Sequence, residues 1–135
     1  MGSEMCIRDR LMTDLDRAIL RVTQRRAARE ALAEGSRHPY ILQNYVSVVH
    51  QLPKLLQRHG LGQALAYLQM RGEGRPNSAY TLLARQLDRW LLTNLGVSDR
   101  SALAALSARD SRFYREASEL AWLWARALVD SAREA

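Results

Sequence analysis

The sequence predicts an all-α protein, a single compact bundle of about five to six helices. Leucine and alanine supply 22 and 19 of the 135 residues, whereas valine and isoleucine together supply nine. Leucine and alanine favour helix, and β-branched residues favour strand. Apolar residues make up 47% of the chain and charged residues 25%, the proportions of an ordinary globular domain. A chain of this length is expected to build one hydrophobic core.

The first ten residues are predicted to differ in origin from the rest. The segment MGSEMCIRDR has no helical period and contains the only cysteine, Cys6. Because it resembles translated sequencing-adapter sequence, we expect residues 1–10 to be a non-native or disordered leader. The helical domain is then residues 11–135. A single cysteine also excludes an intramolecular disulfide.

Apolar periodicity and helix breakers divide the first half of the domain into three helices. The first is predicted from Thr13 to about Glu34, with Gly35 as its end. Its apolar row is formed by Leu15, Ile19 and Val22. The second helix begins after residues 36–38 and contains Pro53, which predicts a kink or a restart there. Gly60 ends it, and a short third helix follows.

The second half begins with a loop and continues with three more helices. The loop is residues 71–77, RGEGRPN. Helices are predicted over about 78–94, 100–108 and 111–133, and Gly96 is expected to close the first of them. The expected N-caps are Asn77 or Ser78 for the fourth helix and Ser98 or Asp99 for the fifth.

The basic residues are concentrated in a pattern that suits a polyanion. The formal charge is +6, the isoelectric point is near 10.2, and 19 of the 20 basic residues are arginine. An i+4 row on the first helix consists of Arg17, Arg21, Arg25 and Arg29, and Lys54 and Arg58 repeat this spacing on the second. The row of four extends over about 18 Å of helix, which a nucleic-acid backbone can follow over several phosphates.

Two alternatives to this interpretation remain at the level of sequence. The arginine row is also typical of a solvated helix face, partly neutralised by Asp14, Asp16, Glu30 and Glu34. Arg85 and Arg89 extend the basic surface only if the bundle brings them to it. Tyr40, Tyr45 and Tyr67 suit base stacking in principle, but their spacing to leucine and valine favours core packing.

Motifs for catalysis, metal binding and cofactor binding are missing from the sequence. His38, His50 and His59 are twelve and nine residues apart, and none pairs with another His or Cys at helical metal-site spacing. No phosphate-binding loop motif occurs. We therefore expect no catalytic residue, no metal, no cofactor and no enzymatic activity. Because no stretch of 18 apolar residues and no apolar signal-peptide segment occur, we also expect no membrane association and a cytoplasmic location.

The middle of the chain resembles a known family. Residues 52–68, LPKLLQRHGLGQALAYL, resemble the signature of the small helical subunit of the type III-B CRISPR effector, the Cmr complex. The Leu52-Pro53 pair and the run from Gly60 to Leu68 are its specific parts. Further similar blocks are Tyr80, Leu83, Leu87, Trp90 and Leu91, and then 114–117 leading into 120–123. The likeness covers roughly residues 13–132.

This resemblance implies a non-catalytic subunit that stacks along the backbone of the effector and helps to hold target RNA against the guide. It implies as partners the backbone and large subunits, further copies of the chain itself, and the guide RNA and target RNA. The family's RNA contacts do not belong to a fixed motif, so the six basic residues named above are assigned from the charge pattern alone. The loop at 71–77 is interpreted as a connector, with RNA contact through Arg71 and Arg75 as the alternative. A helical protein-protein adaptor with no nucleic-acid contact is the alternative function.

Overall fold

The fold is built from helices alone in the part of the chain that the structure describes. The computed structural model describes residues 14–37, 39–73, 75 and 78–134. Within them lie five helices, α1 (Asp14–Ser36), α2 (Pro39–Gly72), α3 (Ala79–Leu95), α4 (Ala102–Ala108) and α5 (Ser111–Glu134). The all-α prediction is confirmed. The leader predicted at residues 1–10 lies outside the described residues.

The second and third predicted helices form one element, α2, with a break inside it. Gly60 has φ 81° and ψ 169°, and it is the position inside α2 where the backbone leaves helical geometry. Of the kink or restart predicted at Pro53, the restart is wrong, because the helix continues through Pro53. Proline's fixed φ is compatible with helical backbone, whereas a positive φ favours glycine. The break predicted at Gly60 is confirmed.

A hydrogen bond from α2 to a tyrosine of α5 stabilises the break at Gly60. The backbone N–H of Gly62 donates to Tyr114 Oη at 3.0 Å. This donor follows the break, where it lacks the usual helical acceptor. A hydrogen bond between residues 52 positions apart thus connects α5 to the break in α2.

Side-chain and glycine caps set the ends of α3 and the start of α4. Ser78 Oγ accepts from the N–H of Tyr80, and Gly96 closes α3 with φ 66°, as predicted. The cap of α4 is Ser101, whose Oγ accepts from Ala104 N–H at 3.1 Å. The predicted caps Ser98 and Asp99 are wrong because the helix starts later than expected, at Ala102.

The core lies where α2 packs against α3 and α5, with α1 lying mainly against α5. Its largest fully buried side chains come from these helices: Trp124, Tyr45, Leu52, Leu61, Leu65, Leu68, Leu83, Leu87, Leu91, Leu128, Val48 and Val49. The predicted apolar row of α1 does not reach it at Val22, which is 57% exposed. The structure does not describe the side chains of Leu15 and Ile19.

Within residues 21–35, the part of α1 whose side chains the structure describes, the fully buried positions are small residues and one glutamine, and Leu32 packs against the core while partly buried. Ala28, Ala31 and Gly35 are buried, and Gln24 is buried beside them. At Gly35 a Cβ atom would overlap the ring of Tyr45. The helix continues through Gly35 to Ser36, so this glycine serves close packing and does not end α1 as predicted.

A polar network joins α1, α2 and α3 inside the core. Tyr45 Oη donates to Gln86 Oε1 at 2.6 Å. The amide nitrogen of Gln86 donates to Ala31 O at 3.0 Å and to Glu34 Oε1 at 2.8 Å. Burial raises the pKa of Tyr45 well above its ordinary value, which keeps the hydroxyl protonated as a donor. Gln86 is thus fully satisfied by partners on two other helices.

Candidate nucleic-acid interface

The predicted arginine row lies on one flank of α1. Arg21, Arg25 and Arg29 are exposed. Arg17 lies within α1, but its side chain is outside the description. Successive members of the row rise by about 6 Å along the helix and turn by about 40°. The three described arginines line a groove that α1 shares with α5.

A groove runs between this flank of α1 and the end of α5. We call it the arginine groove, and it has a volume of about 430 Å³. Its basic lining residues are Arg21, Arg25, Arg29, Arg126 and Arg133. The two acidic residues in its lining are Asp130 and Glu134. Five positive against two negative side chains leave a formal excess of three positive charges, which suits a polyanion.

The acids of the groove do not neutralise its arginines by direct pairing. Asp130 and Glu134 form no ion pair within 4.0 Å with another residue in the described part of the chain. Glu30 and Glu34, which the alternative interpretation treats as neutralising, line a different groove on the other flank of α1, together with Arg37 and Arg89. The guanidinium groups of the arginine groove are therefore available to an anion.

One arginine of the groove is held in place by an aromatic ring. The guanidinium carbon of Arg126 lies 5.7 Å from the ring centroid of Trp122. A cation over a tryptophan face is attracted by the ring and loses part of its rotational freedom. The N–H groups at the edge of a stacked guanidinium remain free to donate to a phosphate. Arg126 is thus partly ordered before any ligand arrives.

Sequence reasoning missed Arg126 and Arg133. The last 37 residues contain six basic and six acidic side chains, so their summed charge is zero and gave no signal. The helical spacing of seven residues between the two arginines places them on one face of α5. That spacing was readable in the sequence, but the docking of α5 along α1 was not.

The other predicted basic residues lie elsewhere. Lys54 and Arg58 are exposed on α2, and neither lines the arginine groove. Arg85 lines a shallow cleft beside Asp88, and Arg89 lines the groove shared with Glu30 and Glu34. The bundle therefore does not bring Arg85 or Arg89 to the arginine row.

The loop side of the molecule carries a second group of aromatic and basic residues. Tyr67 and Tyr80 pack edge to face, with ring centroids 6.3 Å apart. Arg71 lies over both rings, at 6.0 Å and 5.3 Å from their centroids. Tyr45 is fully buried, as the core interpretation predicts, and Tyr67 is half-buried. The side chain of Tyr40 lies outside the description.

Acidic, histidine and cysteine side chains do not converge in the region that the structure describes. No group of three or more such residues there is arranged to hold a metal ion. His50 and His59 are exposed, and His38 lies outside the description. No described helix is both long enough and apolar enough to cross a membrane.

Comparison with known proteins identifies a family to which the chain is similar. A family model described as CRISPR-associated protein (Cas_Cmr5) matches residues 22–131. The matched segment includes α2 through α4, most of α1 and most of α5, and with them the lining of the arginine groove except Arg21, Arg133 and Glu134. No curated protein and no solved structure matches the chain.

Proposed function

This chain belongs to the Cas_Cmr5 family, the small subunits of type III-B CRISPR effectors, and from that membership we propose that it is a non-catalytic subunit that holds target RNA by sequence-independent phosphate contacts. The observation that carries this proposal is the arginine groove. It combines five guanidinium groups from two helices with a formal excess of positive charge. Phosphate contacts position a nucleic acid without reading its bases.

The chemistry of the groove suits a phosphodiester backbone. Arginine presents a planar fork of donors that bonds phosphate oxygens in pairs and keeps its charge at all physiological pH values. Arg21, Arg25 and Arg29 offer successive contacts along α1, and Arg126 and Arg133 face them from α5. Leu123, which is 38% exposed, adds an apolar wall to the same groove. An RNA strand lying along α1 meets donors on both sides.

Lys54 and Arg58 form a second, smaller basic site in this proposal. They lie four residues apart on an exposed part of α2, so both side chains face the same way. Two charges outside a groove give weaker binding than five within one, because solvent and salt screen them more fully. We assign Lys54 and Arg58 a secondary contact to RNA. We assign Arg17 to the first position of the arginine row on α1.

The partners proposed for this chain are the backbone and large subunits of the effector, the guide and target RNA, and further copies of the chain. The family membership places the chain in a Cmr complex with other subunits. Stacking of copies from head to tail uses two different surfaces of each copy, and such contacts elongate without closing. A subunit of this kind lines the RNA path and leaves cleavage to other components.

Assembly tests this proposal most simply. The chain is co-expressed with the Cmr backbone and large subunits and a guide RNA, and the particle is isolated by pull-down and size exclusion. We expect the chain to enter the particle in more than one copy and to increase retention of target RNA. Exclusion of the folded chain from the particle, or an unchanged retention of target RNA when it enters, would contradict the proposal.

A further inference from the structure

Two buried glutamines occupy opposite situations in this protein. Gln24 and Gln86 are 5% and 6% exposed, and they are the buried polar side chains of the described residues. In the core network the amide nitrogen of Gln86 donates two hydrogen bonds and its amide oxygen accepts one. The Nε2 atom of Gln24 is buried and has no hydrogen-bond partner among the described residues.

An unpaired buried amide donor destabilises a protein. The group gives up its hydrogen bonds to water on folding and forms none in their place. Most buried polar groups are therefore satisfied, and an exception calls for a physical explanation. On the C-terminal side of Gln24 the buried positions of α1 are Ala28, Ala31 and Gly35, so an apolar residue would fit the pattern of that face.

The place of Gln24 in the fold supplies the explanation. Its side chain lines the arginine groove between Arg21 and Arg25 on α1 and Leu123 on α5. The two arginines are exposed and Gln24 is not, so Gln24 lies at the floor of the groove and these arginines at its rim. Because Nε2 itself is fully buried, the amide has to turn about its terminal torsion, which is broad in glutamine, to present this donor to the groove.

We propose that Gln24 is a ligand-binding residue whose Nε2 donates a hydrogen bond to a phosphate oxygen seated in the arginine groove. The five arginines attract and neutralise the anion, and the buried amide fixes one of its oxygens. A neutral donor suits the floor of the groove because a sixth cation buried there would be repelled by the five around it. This inference deepens the proposed function and rests on it, since the phosphate that we expect there belongs to RNA.

The proposal predicts that substitution of Gln24 raises the thermal stability of the chain and lowers its affinity for RNA. Gln24→Met keeps the volume of the side chain and removes the unpaired donor. We expect the variant to melt about 4 °C higher than the parent and to bind single-stranded RNA about tenfold more weakly, because it lacks one charge-assisted hydrogen bond. Thermal unfolding of the full chain and fluorescence anisotropy with labelled RNA measure the two effects.

Gln86→Met is the matched control, because it alters a glutamine that is equally buried but fully paired. It leaves Tyr45 Oη without its acceptor, so we expect a lower melting temperature and unchanged affinity for RNA. If Gln24→Met also lowers the melting temperature, Gln24 is a structural residue with a partner of its own, and the proposal fails. Unchanged RNA affinity of Gln24→Met would also overturn it.

A direct spectroscopic readout separates the sources of the phosphate. In a ¹⁵N-labelled chain, the side-chain amide resonances of Gln24 are identified by their disappearance in Gln24→Met. We expect them to shift on addition of single-stranded RNA. A shift with inorganic phosphate as well assigns the site to any phosphate group, and a shift with RNA alone assigns it to the polymer. No shift with either would overturn the inference.

The inference and the proposed function fail in different ways. If glutamate substitutions of the rim arginines abolish RNA binding while Gln24→Met binds normally, the groove binds RNA and only the role of Gln24 is wrong. If neither change affects RNA binding, the groove itself is not an RNA site and both are wrong.

Discussion

Simultaneous replacement of Arg21, Arg25 and Arg29 by glutamate is expected to weaken binding of single-stranded RNA by on the order of a hundredfold at low salt. The change removes three phosphate contacts and introduces three repulsive charges on one side of the groove. The slope of log affinity against log salt is negative for a nucleic-acid complex. For a single strand, every phosphate that is no longer neutralised makes this slope less steep by about 0.7, so the three substitutions are expected to reduce its magnitude by about 2. Anisotropy titrations at several salt concentrations measure both quantities.

The effect of net charge needs a matched control. Arg85, Arg100 and Arg115 are also exposed, and none of them lines the arginine groove. Their replacement by glutamate changes the net charge of the chain by the same amount. We expect the control to retain most of the affinity and most of the salt dependence. An equal reduction in both triple variants would show that the chain attracts RNA only through its overall charge, and normal binding by the groove variant would favour a protein-protein adaptor.

Replacement of Gly35 by alanine is expected to have the largest effect on stability, a decrease of about 3 kcal/mol in the free energy of unfolding. The added Cβ would overlap the ring of Tyr45. That ring cannot move freely, because it is fully buried and its hydroxyl is bonded to Gln86. Chemical denaturation measures the change, and near-ultraviolet circular dichroism reports any displacement of the tyrosine.

Gly62 provides the comparison for this substitution. It also lies within a helix, and a Cβ placed on it would lie 3.6 Å from Tyr114 Oη, an ordinary contact distance. Because alanine has the higher helix propensity, we expect Gly62→Ala to change the free energy of unfolding by less than about 1 kcal/mol. If Gly35→Ala proves equally harmless, then α1 and α2 are not packed as closely as the structure describes.

The sequence was sufficient for the elements whose ends carry local signals. Ser78 and Gly96 mark the two ends of α3. A serine oxygen satisfies free N–H groups at the start of a helix, and glycine adopts a positive φ at low cost at its end. The break at Gly60 was readable for the same reason. Where two signals competed, as at Pro53 and Gly60, the residue with unrestricted φ determined the break, because proline's own φ is already helical.

The candidate site was only partly accessible from sequence, because it depends on how two distant helices dock. The row on α1 was visible as a four-residue period. The contribution of Arg126 and Arg133 was hidden by neighbouring acids, and it follows only from the packing of α5 against α1. Gln24 was invisible, since nothing in the sequence distinguishes a buried unpaired amide from an exposed one. The prediction was wrong at Val22: within residues 21–35 of α1 the buried side chains are Gln24, Ala28 and Ala31, and Leu32 packs against the core while partly buried.

Photo-crosslinking inside the assembled effector tests the central claim most directly. A photoreactive phenylalanine analogue replaces Leu123, which lies in the arginine groove, or Met70, which is 67% exposed and lines a different cleft. Each variant is incorporated into the Cmr particle with guide RNA and labelled target RNA, and irradiated. We expect target RNA to be crosslinked from position 123 and not from position 70. Particles that contain the chain but give no crosslink from position 123 would contradict the placement of RNA in this groove.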